Sequence, residues 1–173
     1  MIKLLLLLSL SLCLCSCKNK NTKQGNEAFV KFVFSQSGED ENYSIKLTKS
    51  DTIFLEERFP KPVKRYYAIL TDAVRKKLNL MLDTLNLGRF DTMYIQESLA
   101  DGVFYKFYLQ NDTLVKAISI YGYKAPEVIY PFAEWLDSFA KTVTKYPINR
   151  KVSFGDLTGV NPPSVPPPTK TSD

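Results

Sequence analysis

The chain has 173 residues, 45 % of them hydrophobic, with a formal net charge of +5 and no histidine. Its three cysteines all fall at positions 13, 15 and 17. These absences exclude Ser-His-Asp and Cys-His nucleophile pairs, His-ligated zinc or iron, and cysteine metal clusters; the mixed-sign, mildly basic composition lacks the clustered Lys and Arg of a nucleic-acid binder.

Met1-Ile2-Lys3 is a short basic start, and Leu4 to Leu14 is almost entirely apolar. That run is too short to span a bilayer, which takes about 20 residues, and it fits the apolar region of a secretory signal. Leu14-Cys15-Ser16-Cys17 resembles the lipobox of bacterial lipoproteins. The resemblance implies thioether lipidation of Cys17, removal of residues 1–16, and N-acylation. Cys13 and Cys15 fit less well, because each follows a leucine. Acyl chains at about 0.8 kcal/mol per buried CH₂ would hold the protein on a membrane. Residues 17–27, with Lys18, Lys20 and Lys23, are polar and aperiodic and read as a flexible basic tether. Lys18 stands where inner-membrane-retained lipoproteins carry Asp, and no acidic run follows Cys17. Both features point to the outer membrane and its periplasmic face.

A single domain is expected over 28–155, with a Pro-rich disordered tail over 156–173. Residues 28–34 are β-branched and aromatic, and 43–48 alternate, so both read as strands. Ser35 to Asn42, with Gly38 and three acids, reads as a solvated hairpin loop. Residues 52–59 form a third strand, broken by Pro60 and Pro62, and 64–70 a short fourth. Thr71 suits a helix N-cap with Asp72 in the first turn, and Val74, Leu78, Met81, Leu82 and Leu85 share one face. A helix over 72–86 follows, stopped at Gly88.

Residues 103–109 and 113–121 alternate and form a hairpin across a two-residue Asn111-Asp112 turn, which pairs Leu109 with Leu114 and Phe107 with Lys116. Pro126 suits the first turn of a last helix carrying Ile129, Phe132, Leu136, Phe139 and Val143. The expected fold is α+β: an antiparallel sheet of about five to six strands with two helices on one face, in the order strands, helix, hairpin, helix. In this order, with this lipobox, the chain resembles small lipoproteins of Bacteroidota that carry a domain of unknown function. Its nearest approach to a motif is Tyr121-Gly122-Tyr123-Lys124-Ala125-Pro126, and the resemblance implies no activity.

No phosphate-binding glycine frame or nucleophile elbow occurs in the domain. Glu39-Asp40-Glu41 lacks the spaced oxygens of a calcium loop. Glu56 and Glu57 point to opposite faces of a strand, and Glu97 and Asp101 flank a loop. No catalytic residue, metal ligand or cofactor is assigned. The unusual feature is the hairpin face opposite the core, which carries Phe104, Lys106, Tyr108 and Tyr121 as candidate partner-binding residues. That face is open unless the tether, the 60–67 segment or the C-terminal arm covers it. The expected function is a non-enzymatic binding or structural lipoprotein of the envelope. Its partners are the bilayer, through acylated Cys17, and an envelope protein, with no nucleic acid. Alternatives are a carboxylate- or metal-dependent envelope hydrolase and an immunity or inhibitor lipoprotein.

Overall fold

The computed structural model describes residues 29–160. The signal, Cys17, the tether and the proline run from Pro162 to Pro168 lie outside the described residues. The chain forms a mixed α+β domain with one eight-stranded sheet and two helices. The strands are β1 (Lys31–Ser37), β2 (Asn42–Thr48), β3 (Thr52–Phe59), β4 (Lys64–Ile69), β5 (Met93–Ile95), β6 (Phe104–Gln110), β7 (Val115–Tyr121) and β8 (Tyr146–Pro147). The helices are α1 (Asp72–Leu85) and α2 (Tyr130–Thr142). Across the sheet the order is β5-β7-β6-β1-β2-β3-β4-β8.

The sheet is larger than the sequence implies, and it is not wholly antiparallel. Strand β5 pairs with β7 in parallel, Tyr94 opposite Ile120. Helix α1 carries the chain from β4, near one side of the sheet, to the opposite edge, where a three-residue strand is too short to show a period. Strand β8 has only two residues, one of them Pro147, and carries no strand signal in the sequence; proline is tolerated there because β8 is a sheet edge.

One face of the sheet is apolar. Phe32, Phe34, Ile45, Leu47, Ile53, Leu55, Ala68, Phe107, Leu109, Ile118 and Ile120 project from it and join one buried cluster with both helices. Helix α1 contributes Leu78, Leu82 and Leu85, the expected face. The Thr71 hydroxyl accepts from the Val74 amide at 3.4 Å. The helix stops at Asn86 rather than Gly88: Asn86 takes a left-handed conformation (φ 48°), which asparagine tolerates better than most residues. Helix α2 begins at Tyr130, not near Pro126, after a 3₁₀ turn over Glu127–Ile129. Pro131 explains the delay, since its ring would clash with the carbonyl of Glu127 in a continuous α-helix. Phe132 is the centre of the contact, with ring centroids 5.9 Å from both Phe32 and Phe107.

The β6–β7 register is shifted by two residues from expectation: Leu109 faces Lys116 and Phe107 faces Ile118. The turn holds four residues, because Asn111 Oδ1 accepts from the amides of Thr113 (3.0 Å) and Leu114 (2.7 Å). A shift of two keeps every side chain on its expected face. Strand β1 runs three residues beyond the expected end. Ser35, Gln36 and Ser37 are buried in it, and the hairpin turn shrinks to 38–41. Their polar groups are paired: the hydroxyls of Ser35 and Ser44 share a hydrogen bond, and Asn42 Nδ2 donates to Ser37 Oγ at 3.2 Å.

The chain therefore crosses the sheet three times. Helices α1 and α2 cross the apolar face. After β8, residues 148–160 cross the other face as an extended arm. Phe132→Ala would remove the ring that joins α2 to β1 and β6, and is expected to cost about 3–5 kcal/mol. Urea unfolding followed by the Trp135 signal measures it; a loss below about 1 kcal/mol would contradict this packing.

Candidate binding cleft and the covered sheet face

The arm is held by contacts on four strands. Ile148 N donates to Arg65 O of β4 at 2.9 Å. The Arg150 guanidinium lies 4.9 Å from the centroid of Phe54 on β3. Lys46 Nζ on β2 donates to Ser153 O at 2.9 Å. Lys106 Nζ on β6 donates to Asp156 Oδ2 at 2.9 Å and Thr158 O at 3.0 Å. Asn42 Nδ2 donates to Val160 O at 2.8 Å. Phe154 and Val160 are buried along this path.

Beneath and beside the arm runs a polar row, one residue per strand. Ser119, Lys106, Ser35, Ser44, Glu56 and Arg65 are successive cross-strand partners. Arg58 extends it. Its Nη2 donates to Ser44 Oγ at 2.9 Å and its Nε to Asn42 Oδ1 at 2.7 Å. Its Nη1 makes no hydrogen bond and lies 3.6 Å from Glu56 Oε1. Glu56 is clamped from the other side by Arg65 Nε at 2.7 Å. Glu57 points to the helix face and pairs with Lys145 Nζ at 2.8 Å, as the strand period requires. Burial lowers the Arg58 and Lys46 pKa values from their ordinary ranges.

The four residues expected to bind a partner share one sheet face but not one surface. Lys106 is 8 % exposed and is occupied by the arm. Phe104 lies against Gly159, where an added Cβ would come within 2.7 Å of its ring. Tyr108 is half-buried, with Lys31 Nζ 4.6 Å from its ring centroid. Tyr121 is half-buried beside Phe104, its cross-strand partner. The middle of this face is thus covered by the C-terminal arm, one of the three covers that the sequence offers. Phe104 and Tyr121 remain together at one end.

At that end the sheet opens into a cleft of about 930 Å³. One wall is the 38–41 turn with Glu39, Asp40 and Glu41; the other is the 100–103 loop with Asp101 and Val103. Phe104, Tyr121, Gly159 and Lys141 complete it. Tyr121 fixes the loop: its hydroxyl donates to Leu99 O at 2.8 Å and accepts from Gly102 N at 3.2 Å. Gly102 is required there, since a Cβ would approach Leu99 Cδ2 to 2.5 Å and the Tyr121 ring to 2.8 Å. The Tyr121–Pro126 motif proves to be a turn device. Gly122 has φ 76°, Gln96 Oε1 accepts from Tyr123 N at 3.0 Å, and the Tyr130 hydroxyl accepts from Ala125 N at 3.1 Å.

A polar network backs the cleft. The buried Tyr43 hydroxyl donates to Asp137 Oδ1 at 2.7 Å, and Lys141 Nζ joins Asp137 Oδ2 (2.9 Å) to Glu41 Oε1 (3.1 Å). Gln36 Nε2 donates to the same Glu41 oxygen. Burial and then Asp137 raise the Tyr43 pKa well above the phenol range. Hydrogen bonds to Asp137 and Glu41 raise that of Lys141. The network ties α2 to the 38–41 turn. It also divides the cleft from a smaller groove of about 210 Å³ lined by Leu55, Phe59, Pro60 and Lys145. Sequence reading missed the cleft because its lining comes from five separated parts of the chain, at 36–41, 100–104, 121, 141 and 159.

Asp101 lines the cleft, whereas Glu97 is outside its lining. Among the described residues no group of three or more His, Cys, Asp or Glu side chains is placed to hold a metal ion. No described helix is long and apolar enough to cross a membrane.

Hydrogen bonds from Thr158 and Lys106 hold the Asp156 carboxyl well below its usual range. A lowered folded value stabilises the arm above the ordinary carboxylate pKa of about 3.9, and that contribution fades as pH falls through the folded value. Because Asp156 is largely exposed, the effect is modest. Hydrogen exchange at the Thr158 amide, which donates to Asp156 Oδ1 at 2.8 Å, is expected to accelerate roughly two- to fivefold below about pH 4, after correction for intrinsic rates. Asp156→Asn should abolish this pH step; a step that persists in the variant would assign it to another group. Compared with known proteins, the chain matches no family model, no curated protein and no solved structure.

Proposed function

We propose that this chain is a lipid-anchored bacterial envelope protein, held through acylated Cys17 on the periplasmic face of the outer membrane. Its domain is a non-enzymatic binding module that takes a protein partner in the cleft beside Phe104 and Tyr121. The observation that carries this reading is the placement of the cleft. The described chain enters at Phe29, and Val30 N pairs with Gln110 O at one end of the sheet. The cleft lies at the other end, beyond Ser37 and Phe104. Strand β1 separates the two by about 20 Å. A tether of residues 17–27 would thus leave the anchor on one side and the cleft facing away from the bilayer.

The walls of the cleft define the chemistry of the partner. Glu39, Asp40, Glu41 and Asp101 outnumber Lys141 in its lining, although the whole chain is positively charged. Such a surface steers and registers a basic partner. An immunity or inhibitor role against a cationic protein is the second reading, and this acidic lining favours it. The hydrolase reading gains no comparable support from Glu97 and Asp101, which do not line the cleft together.

Two variants test the proposal. The protein should incorporate labelled palmitate and Cys17→Ala should not; absence of label from the unsubstituted protein would refute lipid anchoring. Glu39→Lys with Asp101→Lys reverses two exposed wall charges. The double variant should stay folded and lose at least tenfold of a crosslinked envelope partner or toxin, while Tyr108→Ser retains it. Equal capture by both would place the partner elsewhere.

A further inference from the structure

Strand β8 and the arm form one continuous unit, residues 146–160, whose contacts described above all go to the sheet. Tyr146 stacks on Tyr67 of β4 with ring centroids 5.2 Å apart, and the hydrogen bonds beyond it reach β4, β2 and β6. The link to the rest of the chain is short. Helix α2 ends at Thr142 and β8 begins at Tyr146, which leaves residues 143–145 between them. Val143 is extended, and the proline after Tyr146 disfavours any helical turn there. Four Cα steps reach at most about 14 Å. Within that length the chain passes from the helix layer on the apolar face to the outermost strand, and from there to the opposite face.

We infer that the unit 146–160 is exchanged between two copies of this chain, each laying its β8 and arm across the polar face of the other. Three features of the molecule argue for a second copy. First, the polar face needs an arm. Ser35 and Ser44 are buried and Lys106 is 8 % exposed. Their partners must come from some arm, and the seat does not depend on which copy supplies it. Second, the seat is built for this sequence. Phe154 and Val160 are its buried anchors, the Asp156 carboxylate meets Lys106, and Gly159 passes Phe104 where a Cβ would not fit. A second copy carries the same pattern, so exchange reproduces every contact of the seated arm. Third, the link has little slack, and short connections of this kind open into exchange. Only residues 143–145 need change conformation. Because Gly159 lines the cleft, each cleft of the pair is completed by the other copy. The inference goes beyond the reading of the cleft as a binding site and does not depend on it.

The Lys106–Asp156 pair supplies the test. Lys106→Glu in one full-length copy sets two carboxylates against each other in cis, and Asp156→Lys in a second copy sets two ammonium groups against each other. Reciprocal exchange between these two variants restores an opposite pair on both faces at once. The variants are co-expressed with different tags, extracted in detergent, and captured through one tag. Capture of one variant by the other should exceed capture between two tagged copies of the same variant at least fivefold. Detergent micelles would hold all combinations alike, so equal capture would leave the arm in cis and overturn the inference. A second variant covers failure of the first two to fold. Inserting Gly-Ser-Gly-Ser between Thr144 and Lys145 of the otherwise unsubstituted chain gives the link slack. Capture between two differently tagged copies should then fall at least threefold from that of the unmodified chain. Capture that slack leaves unchanged, or that is absent from the unmodified chain, overturns the inference as well.

Discussion

Strand β1 lies in the interior of an eight-stranded sheet and is withdrawn from water on both faces. Everything else in the domain answers that condition. One face is apolar and needs a hydrophobic cover, which α1 and α2 supply. The other carries Ser35 and Ser37, flanked by Ser44, Asn42 and Lys106, and cannot be covered by a greasy helix. Burying such groups unpaired costs about 1–3 kcal/mol each. The arm solves this with main-chain carbonyls and one carboxylate, which accept from Lys46, Asn42 and Lys106. The two faces are therefore held by different physics, burial on one and hydrogen bonding on the other.

That division explains what could be read from the sequence. Wherever apolar burial sets the pattern, the pattern is visible: the helical face of Leu78, Leu82 and Leu85, or the alternation of Phe107, Leu109, Ile118 and Ile120. Even the misjudged turn at Asn111 left the faces intact. Where polar pairing sets the structure, the residues look like loop. Ser35 to Ser37 are serine and glutamine beside a glycine, and nothing local reveals that partners wait on β2, or that their neighbour Asn42 is bound by a segment beyond residue 150. Lys106 reads as a solvated strand lysine for the same reason. The partner that buries it is 50 residues away.

The candidate site was half legible. Phe104 and Tyr121 stand out in the sequence as aromatics on the hairpin face opposite the core, and both line the cleft. The acids at 39–41 read as a solvated turn, which holds for Glu39 and Asp40 but not for Glu41, and nothing in the sequence marks them as a wall. A wall needs an opposite wall, and the 100–103 loop reaches that position only because Tyr121 binds it and Gly102 and Gly122 allow the close approach. The same arrangement gives the domain a polarity. Chain entry lies at one end, and acidic and aromatic surface at the other, with a rigid sheet between them.

The arm also sets an order of events in folding. Its contacts join residues far apart in the chain, 107 apart for Lys46 with Ser153 and 118 apart for Asn42 with Val160. Contacts of such separation close last, because the loop entropy must first be reduced by structure formed between their ends. The helix-covered face, whose β1–β2 and β2–β3 pairings are local, needs none of them. The domain thus divides into an early unit and a late strap. Sub-global opening at the strap exposes the polar row while the aromatic core stays closed. A protein built this way can bare or hide one surface at low cost without ever visiting its unfolded state.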